Sequence, residues 1–180
     1  MSRNSKYFLF LILGIWVFIG VVAIALLSFD GDSGISPLNV TNTTFTKRPA
    51  PDFELEFFSG EKVKLSDLKG EKGAVINFWA SWCGPCRTEG GTLAKIGKEY
   101  DGKVRFIGVA VNDQENNAKD FLNEFGITYD NGMDTSNIAG SYKITGIPET
   151  FWVDKDGNIV DHVIGPVDEA GLVSRIEKIL

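Results

Sequence analysis

The only two cysteines in this 180-residue chain stand with two residues between them, in Trp82-Cys83-Gly84-Pro85-Cys86. At that spacing the sulfurs can close a small disulfide ring and reopen it, which is two-electron redox chemistry. An apolar run ends just before the pair and a helix-like segment follows. Cys83 therefore sits where helix N-terminal amides stabilise a thiolate, a setting that lowers a thiol pKa to roughly 3.5–7.5. Cys83 is the expected nucleophile, and Cys86, one turn inside, the residue that resolves a mixed disulfide. Gly84 has no side chain to obstruct a substrate backbone, and Pro85 is tolerated in a first helical turn, where its missing amide has no partner to lose. Trp82 reads as a substrate contact and Trp79 as core. Metal binding is the competing reading. A closed zinc site takes about four ligands, and the rest of the chain offers no cysteine and one histidine, His162. The expectation is a redox dithiol with no metal and no further cofactor.

The elements that must position this pair can be read from apolar periodicity. Residues 53–58 and 62–65 flank Ser59-Gly60-Glu61 as a hairpin. Residues 74–79 (A-V-I-N-F-W) form a nearly continuous apolar strand, expected at the centre of a sheet covered on both faces. Residues 84–100 are helical, and 104–111 make a second central strand. A helix over 115–125 places Phe121, Leu122 and Phe125 on one face. A short helix spans 135–142. Strands over 150–153 and 158–164 meet at an Asp-Lys-Asp-Gly-Asn turn, and Asp168 caps a last helix running to Leu180. This succession predicts an α/β domain with a mixed sheet.

That domain occupies residues 51–180, one domain's worth of chain. Residues 7–29 carry no charge, and Gly14, Gly20 and Ser28 alone interrupt large apolar side chains. About 20 such residues cross a hydrocarbon core of about 30 Å. Arg3 and Lys6 lie in the short leading segment 1–6, which the positive-inside rule places in the cytoplasm, with the rest of the chain outside. A cleavable signal peptide is the alternative. Its apolar region runs about 7–15 residues before a small-x-small site, and Ala23-Ile24-Ala25 lies within the run rather than after it, so a retained anchor is favoured. Residues 30–50 are Gly-, Pro- and Asn-rich and read as a tether. Asn39 and Asn42 fit the glycosylation sequon and are read as ordinary loop residues. Two of the 18 basic residues precede the anchor, leaving 16 against 24 acidic ones outside, a net charge of −8. Such a surface argues against nucleic acid or anionic lipid as partners. With no cysteine left for a structural bridge, the pair is expected to act on other proteins.

Asn77-Phe78-Trp79-Ala80-Ser81-Trp82-Cys83-Gly84-Pro85-Cys86-Arg87 resembles the membrane-anchored thioredoxin-like TlpA/ResA/DsbE (CcmG) group. Tyr142-Lys143-Ile144-Thr145-Gly146-Ile147-Pro148-Glu149-Thr150-Phe151 looks most like its DsbE branch. The resemblance implies a thioredoxin-like fold with an N-terminal hairpin extension. It also implies a cis bond before Pro148, and Ile147, Pro148 and Glu149 beside the substrate. Its activity would be reduction of disulfides outside the membrane, with apocytochrome c or its maturation factors as partners and a transmembrane thiol electron donor. A general extracytoplasmic oxidoreductase of broad range is the alternative. A copper metallochaperone using His162 is a weaker one, since such relatives place three residues between the cysteines. A peroxidase is disfavoured, because no apolar-proline-threonine approach to a peroxidatic cysteine is present.

Acidic residues set the direction of the chemistry. Thioredoxins carry a buried aspartate where the resemblance places Asn77, which transfers no proton. Glu89, three residues after Cys86, is one helical turn on and is expected to couple to the dithiol. Glu149 is expected to face it from the other side. A carboxylate near a thiol disfavours the thiolate, which favours the disulfide and makes the pair a better reductant. The group usually follows that glutamate with an apolar residue and a proline. Here Gly90-Gly91 stands instead, at about 1 kcal/mol each relative to alanine in a helix interior, and the aim of Glu89 depends on how the helix accommodates them.

Overall fold

A computed structural model describes residues 46–180. The segments expected as anchor and tether, residues 7–29 and most of 30–50, lie outside the described residues. Among the described residues no helix is long and apolar enough to cross a membrane.

The apolar run becomes strand β4, Ala74–Trp79, and all six of its residues are buried. Around it the elements follow in the order β1 (Arg48–Pro49), β2 (Glu54–Glu56), β3 (Lys62–Lys64), β4, α1 (Gly84–Glu99), β5 (Arg105–Ala110), α2 (Glu115–Phe125), β6 (Asp130–Met133), α3 (Ile138–Tyr142), β7 (Glu149–Val153), β8 (Asn158–Ile164) and α4 (Glu169–Ile176). Six strands form one sheet in the order β1-β8-β7-β4-β5-β6, and β2-β3 is a separate hairpin. β4, β5 and β6 run parallel through the crossovers α1 and α2, while β7 and β8 are antiparallel to their neighbours. This is the mixed α/β sheet expected of a thioredoxin-like fold.

Alternation along β4 divides the core. Val75 faces α1 and α4, packing with Leu93, Ile96, Trp152, Leu172 and Ile176. Ile76 and Phe78 face the hairpin and α3, among Leu55, Phe57, Ile138, Tyr142 and Phe151. Trp79 lies on the α1 side, stacked on Phe121 of α2 with ring centroids 4.6 Å apart.

Four elements differ from expectation. β6 is an edge strand of sequence Asp-Asn-Gly-Met, whose polar composition conceals it. Its Asn131 carboxamide accepts the Trp79 indole N–H at 3.0 Å, and a Cβ on Gly108 would collide with it. A Cβ on Gly132 would collide with the Glu56 carbonyl of the hairpin, so both glycines permit close approach. β1 falls at the end of the expected tether: Arg48 and Pro49 pair with Ile159 and Asn158 of β8. The helix expected over 135–142 begins only at Ile138, where the Asp134 carboxylate accepts the amides of Ile138 and Ala139 at 2.7 and 2.9 Å. The last helix, capped as expected by Asp168 through the Gly171 amide at 2.8 Å, ends at Ile176.

Gly90-Gly91 leaves α1 continuous across its 16 residues. Gly90 is buried, and a Cβ there would stand 2.8 Å from the Phe125 ring, whereas one at Gly91 would meet nothing within 4 Å. Gly91→Ala is therefore expected to raise the unfolding free energy by about 0.5–1 kcal/mol through helix propensity. Gly90→Ala, which overpacks the Phe125 contact, should lower it by about 1–3 kcal/mol. Urea unfolding midpoints at constant m-value check both, and equal shifts for the two variants would contradict the packing role of Gly90.

Candidate active site

Cys83 is the N-cap of α1, in extended backbone conformation, and its Sγ accepts the Cys86 amide at 3.1 Å. The two cysteines are joined in a disulfide, with Cα atoms 5.2 Å apart. Both are almost wholly covered, Cys83 at 4% exposure and Cys86 at 1%. Gly84 and Pro85 form the exposed first helical turn. The Ile147 carbonyl oxygen lies 3.6 Å from Cys83 Sγ, and the following Ile147–Pro148 bond is cis. Strand pairing produces this juxtaposition: β4 ends at the dithiol while β7, antiparallel to it, begins just after Pro148.

The segment before the cysteines is fixed by the loop after β5. Asp113 accepts both the amide and the hydroxyl of Ser81. The Asn112 carbonyl accepts the Trp82 indole N–H at 3.1 Å, and Asn112 itself has positive φ. Trp82 nevertheless remains 64% exposed. With Val111, Ile144 and Ile147 it borders an uncharged surface groove of about 310 Å³. The Asn-Asp pair after an apolar strand is a turn signal; sequence reasoning did not assign it this role.

Glu89 is buried at 2% exposure on the face of α1 that looks onto the sheet. One carboxylate oxygen accepts an Asn77 Nδ2 hydrogen at 3.0 Å, and the other accepts the Val167 amide at 2.9 Å. Asn77 gives its second Nδ2 hydrogen to Thr150 Oγ1 at 3.0 Å, its partner in the β4–β7 register. Burial pushes the Glu89 pKa up to about 7, against the hydrogen bonds from Val167 and Asn77, which pull it down. Among the described residues no cation pairs with it. Asn77, at the position where thioredoxins carry a buried aspartate, thus binds the carboxyl of Glu89.

Glu149 is the carboxyl expected to face the dithiol from the other side. In β7 it is one residue from Thr150, so alternation puts it on the opposite sheet face from Asn77, Thr150 and Glu89. Its carboxylate accepts the Thr145 amide and hydroxyl, both at 2.8 Å, and the Gly146 amide at 3.2 Å. His162 Nε2 lies 3.0 Å from its other oxygen. Burial raises the Glu149 pKa, but the bonds from Thr145, His162 and Gly146 outweigh it and hold the carboxyl below its ordinary value. His162, expected as a surface strand residue, is half-buried and stacks on Phe151 at 4.1 Å. Its ring nitrogen is engaged by Glu149. Among the described residues no cluster of three or more metal-ligating side chains occurs.

Residues 46–162 match the family model described as AhpC/TSA. Thiol-disulfide oxidoreductase ResA of Bacillus anthracis is 33% identical over 134 residues, covering 73% of this chain and 77% of its own. Thiol:disulfide interchange protein HelX of Rhodobacter capsulatus is 37% identical over 145 residues, covering 79% and 81%. A solved thioredoxin-family thiol:disulfide interchange protein from Chlorobium tepidum superposes with a TM-score of 0.67 at 31% identity, covering 74% of this chain and 97% of that one.

The Glu89 site carries a pH signature. Between the ordinary carboxylate value of 4.5 and about 7, the folded chain holds a proton that the unfolded chain releases. Stability therefore falls as pH rises through that window. For the disulfide form, Glu89→Gln should gain on wild type by on the order of 2 kcal/mol between pH 5 and pH 8. Denaturant titration at the two pH values checks this, and a difference independent of pH would place the carboxyl in water.

Proposed function

Since the chain belongs to the AhpC/TSA family, within its thioredoxin-like TlpA/ResA/DsbE group, we propose that it is a membrane-anchored, extracytoplasmic thiol–disulfide oxidoreductase working as a reductant. The observation that carries this reading is the disulfide of Cys83 and Cys86 at the start of α1, with Ile147 beside it. In the reduced form, the Cys83 thiolate attacks one sulfur of a substrate disulfide and expels the other as a thiolate. Cys86 then attacks Cys83 Sγ, breaking the mixed disulfide and freeing the second substrate thiol. The chain ends as the disulfide, and the substrate carries the two electrons as a dithiol. Proton transfer accompanies each step. Glu89, with a pKa near 7 and three residues after Cys86, is suited to take the Cys86 proton as that sulfur becomes the nucleophile.

The direction follows from charge. An ionised carboxyl without a cation disfavours a nearby thiolate, which stabilises the disulfide relative to the reduced pair. For this couple about 30 mV corresponds to 1.4 kcal/mol, so one such interaction shifts the potential usefully. Turnover then needs a dithiol donor that delivers two electrons across the membrane. Residues 7–29 supply the anchor, 1–6 a cytoplasmic end and the stretch from 30 up to β1 the tether of this reading, with the catalytic domain running from β1 to residue 180. Apocytochrome c or its maturation partners are the favoured substrates, on the motif from Tyr142 to Phe151. The uncharged groove beside Trp82 also suits a wider set of exported disulfides, which is the second reading.

Cys86→Ser should trap mixed disulfides through Cys83, while Cys83→Ser should trap few. Non-reducing gels of acid-quenched cells read this, and equal trapping by both variants would reverse the assigned roles. Protease added to intact protoplasts should remove the domain and leave the amino-terminal peptide in the membrane. A soluble mature form lacking residues 7–29 would overturn the anchor.

A further inference from the structure

We infer that Glu149 and His162 form a positioning pair that holds loop 144–147 in shape for a substrate segment, setting substrate affinity rather than thiol ionisation. The inference rests on the reading of Cys83–Cys86 as a pair that exchanges disulfides with other proteins.

Three donors from two successive residues converge on one oxygen of Glu149: the Thr145 amide, the Thr145 hydroxyl and the Gly146 amide. Hydrogen bonds to a buried carboxylate are among the stronger ones a fold can make. The second oxygen meets His162 on β8. The His162 ring lies 9° from parallel with Phe151, itself fully buried, so an apolar wall fixes which way the imidazole points. At its far end the loop is held by the Gly165 amide, which donates to the Pro148 carbonyl at 2.8 Å. Between these two anchors lies Ile147, whose carbonyl oxygen stands beside Cys83 Sγ. Thr145 and Gly146 are exposed and outside the sheet ladder. Their amides are therefore held by Glu149, and Glu149 is oriented by His162. Glu149 lies on the sheet face opposite Asn77 and Glu89, and its hydrogen-bond partners are the loop and His162 rather than the sulfurs, so it acts through the loop. Releasing the loop adds an ordering cost to each binding event, which appears as weaker binding.

The test uses the reduced full-length chain and, as probe, a peptide closed by one intramolecular disulfide, with single-turnover rates measured against peptide concentration. Loss of one charged, buried hydrogen-bond partner is expected to raise the half-saturating concentration about tenfold in Glu149→Ala. His162→Ala should raise it several-fold, and His162→Gln, whose amide can still donate to Glu149, should recover most of the loss. The double variant should bind no worse than Glu149→Ala alone, since both act through one contact. The alkylation profile of Cys83 against pH should be unmoved in His162→Ala. Half-saturation at the wild-type value in both alanine variants would overturn the inference. So would a shifted alkylation profile with unchanged half-saturation, which would make Glu149 an acid acting on the thiol. Should Glu149→Ala fail to fold, the His162 pair of variants decides. Amide hydrogen exchange at Thr145 and Gly146 is an independent readout. Protection lost in the His162→Ala protein supports the positioning role even if wild type reduces no peptide, and protection retained contradicts it.

Discussion

A carboxyl buried without a cation constrains the rest of the structure. Glu89 can occupy its site only because two hydrogen bonds replace part of its hydration, one from Asn77 on β4 and one from the amide of Val167. These partners come from distant parts of the chain. Asn77 is itself oriented by Thr150 across the β4–β7 pairing, and Val167 is delivered by the turn that leads into α4. The phase of α1 is set by Cys83 at its N-cap, and Gly90 lets Phe125 close over the helix. A change of register in β4, or of phase in α1, would leave the carboxyl or the asparagine unpaired in the core.

The two sheet faces put two buried glutamates to opposite use. Glu89 has two donors and a pKa near 7, so it can gain or lose a proton under ordinary conditions. Glu149 has four polar partners and is held below its ordinary value, so it stays charged and serves as a fixed anchor. Environments that push paired acids apart in pKa separate proton transfer from scaffolding. In the proposed function the labile carboxyl on the face of α1 serves proton transfer, and the fixed one beneath the loop bearing Ile147 serves substrate binding.

Much of this organisation was legible in the sequence where one periodicity dominated. The β4 run, the helix from Gly84, the helix Glu115–Phe125 and the hairpin strands appear where apolar spacing put them. The dithiol was legible because nothing else in the chain could pair with it. β6 was not, since its Asn131 and Gly132 are chosen for contacts with Trp79 and the hairpin rather than for strand propensity. The sheet face and partners of Glu149 were not legible either. Sequence shows only that it follows Pro148, whereas the Asn77–Thr150 register decides which sheet face it joins. His162 read as a surface residue because the partner that buries it lies across a strand pair. Gly90-Gly91 read as a defect because the ring that fills the space, Phe125, belongs to another helix.

The central claim is that Glu89 is a proton-exchanging carboxyl inside the protein, coupled to the sulfurs of Cys83 and Cys86. Carbon-13 NMR of the Glu89 side-chain carboxyl, followed across pH in the disulfide and the dithiol forms, tests it most directly. The account predicts a midpoint near 7 in the disulfide form and a higher one after reduction, when an adjacent thiolate adds its charge and the groups titrate together. A midpoint in the ordinary carboxylate range in both forms, unmoved by reduction, would contradict it.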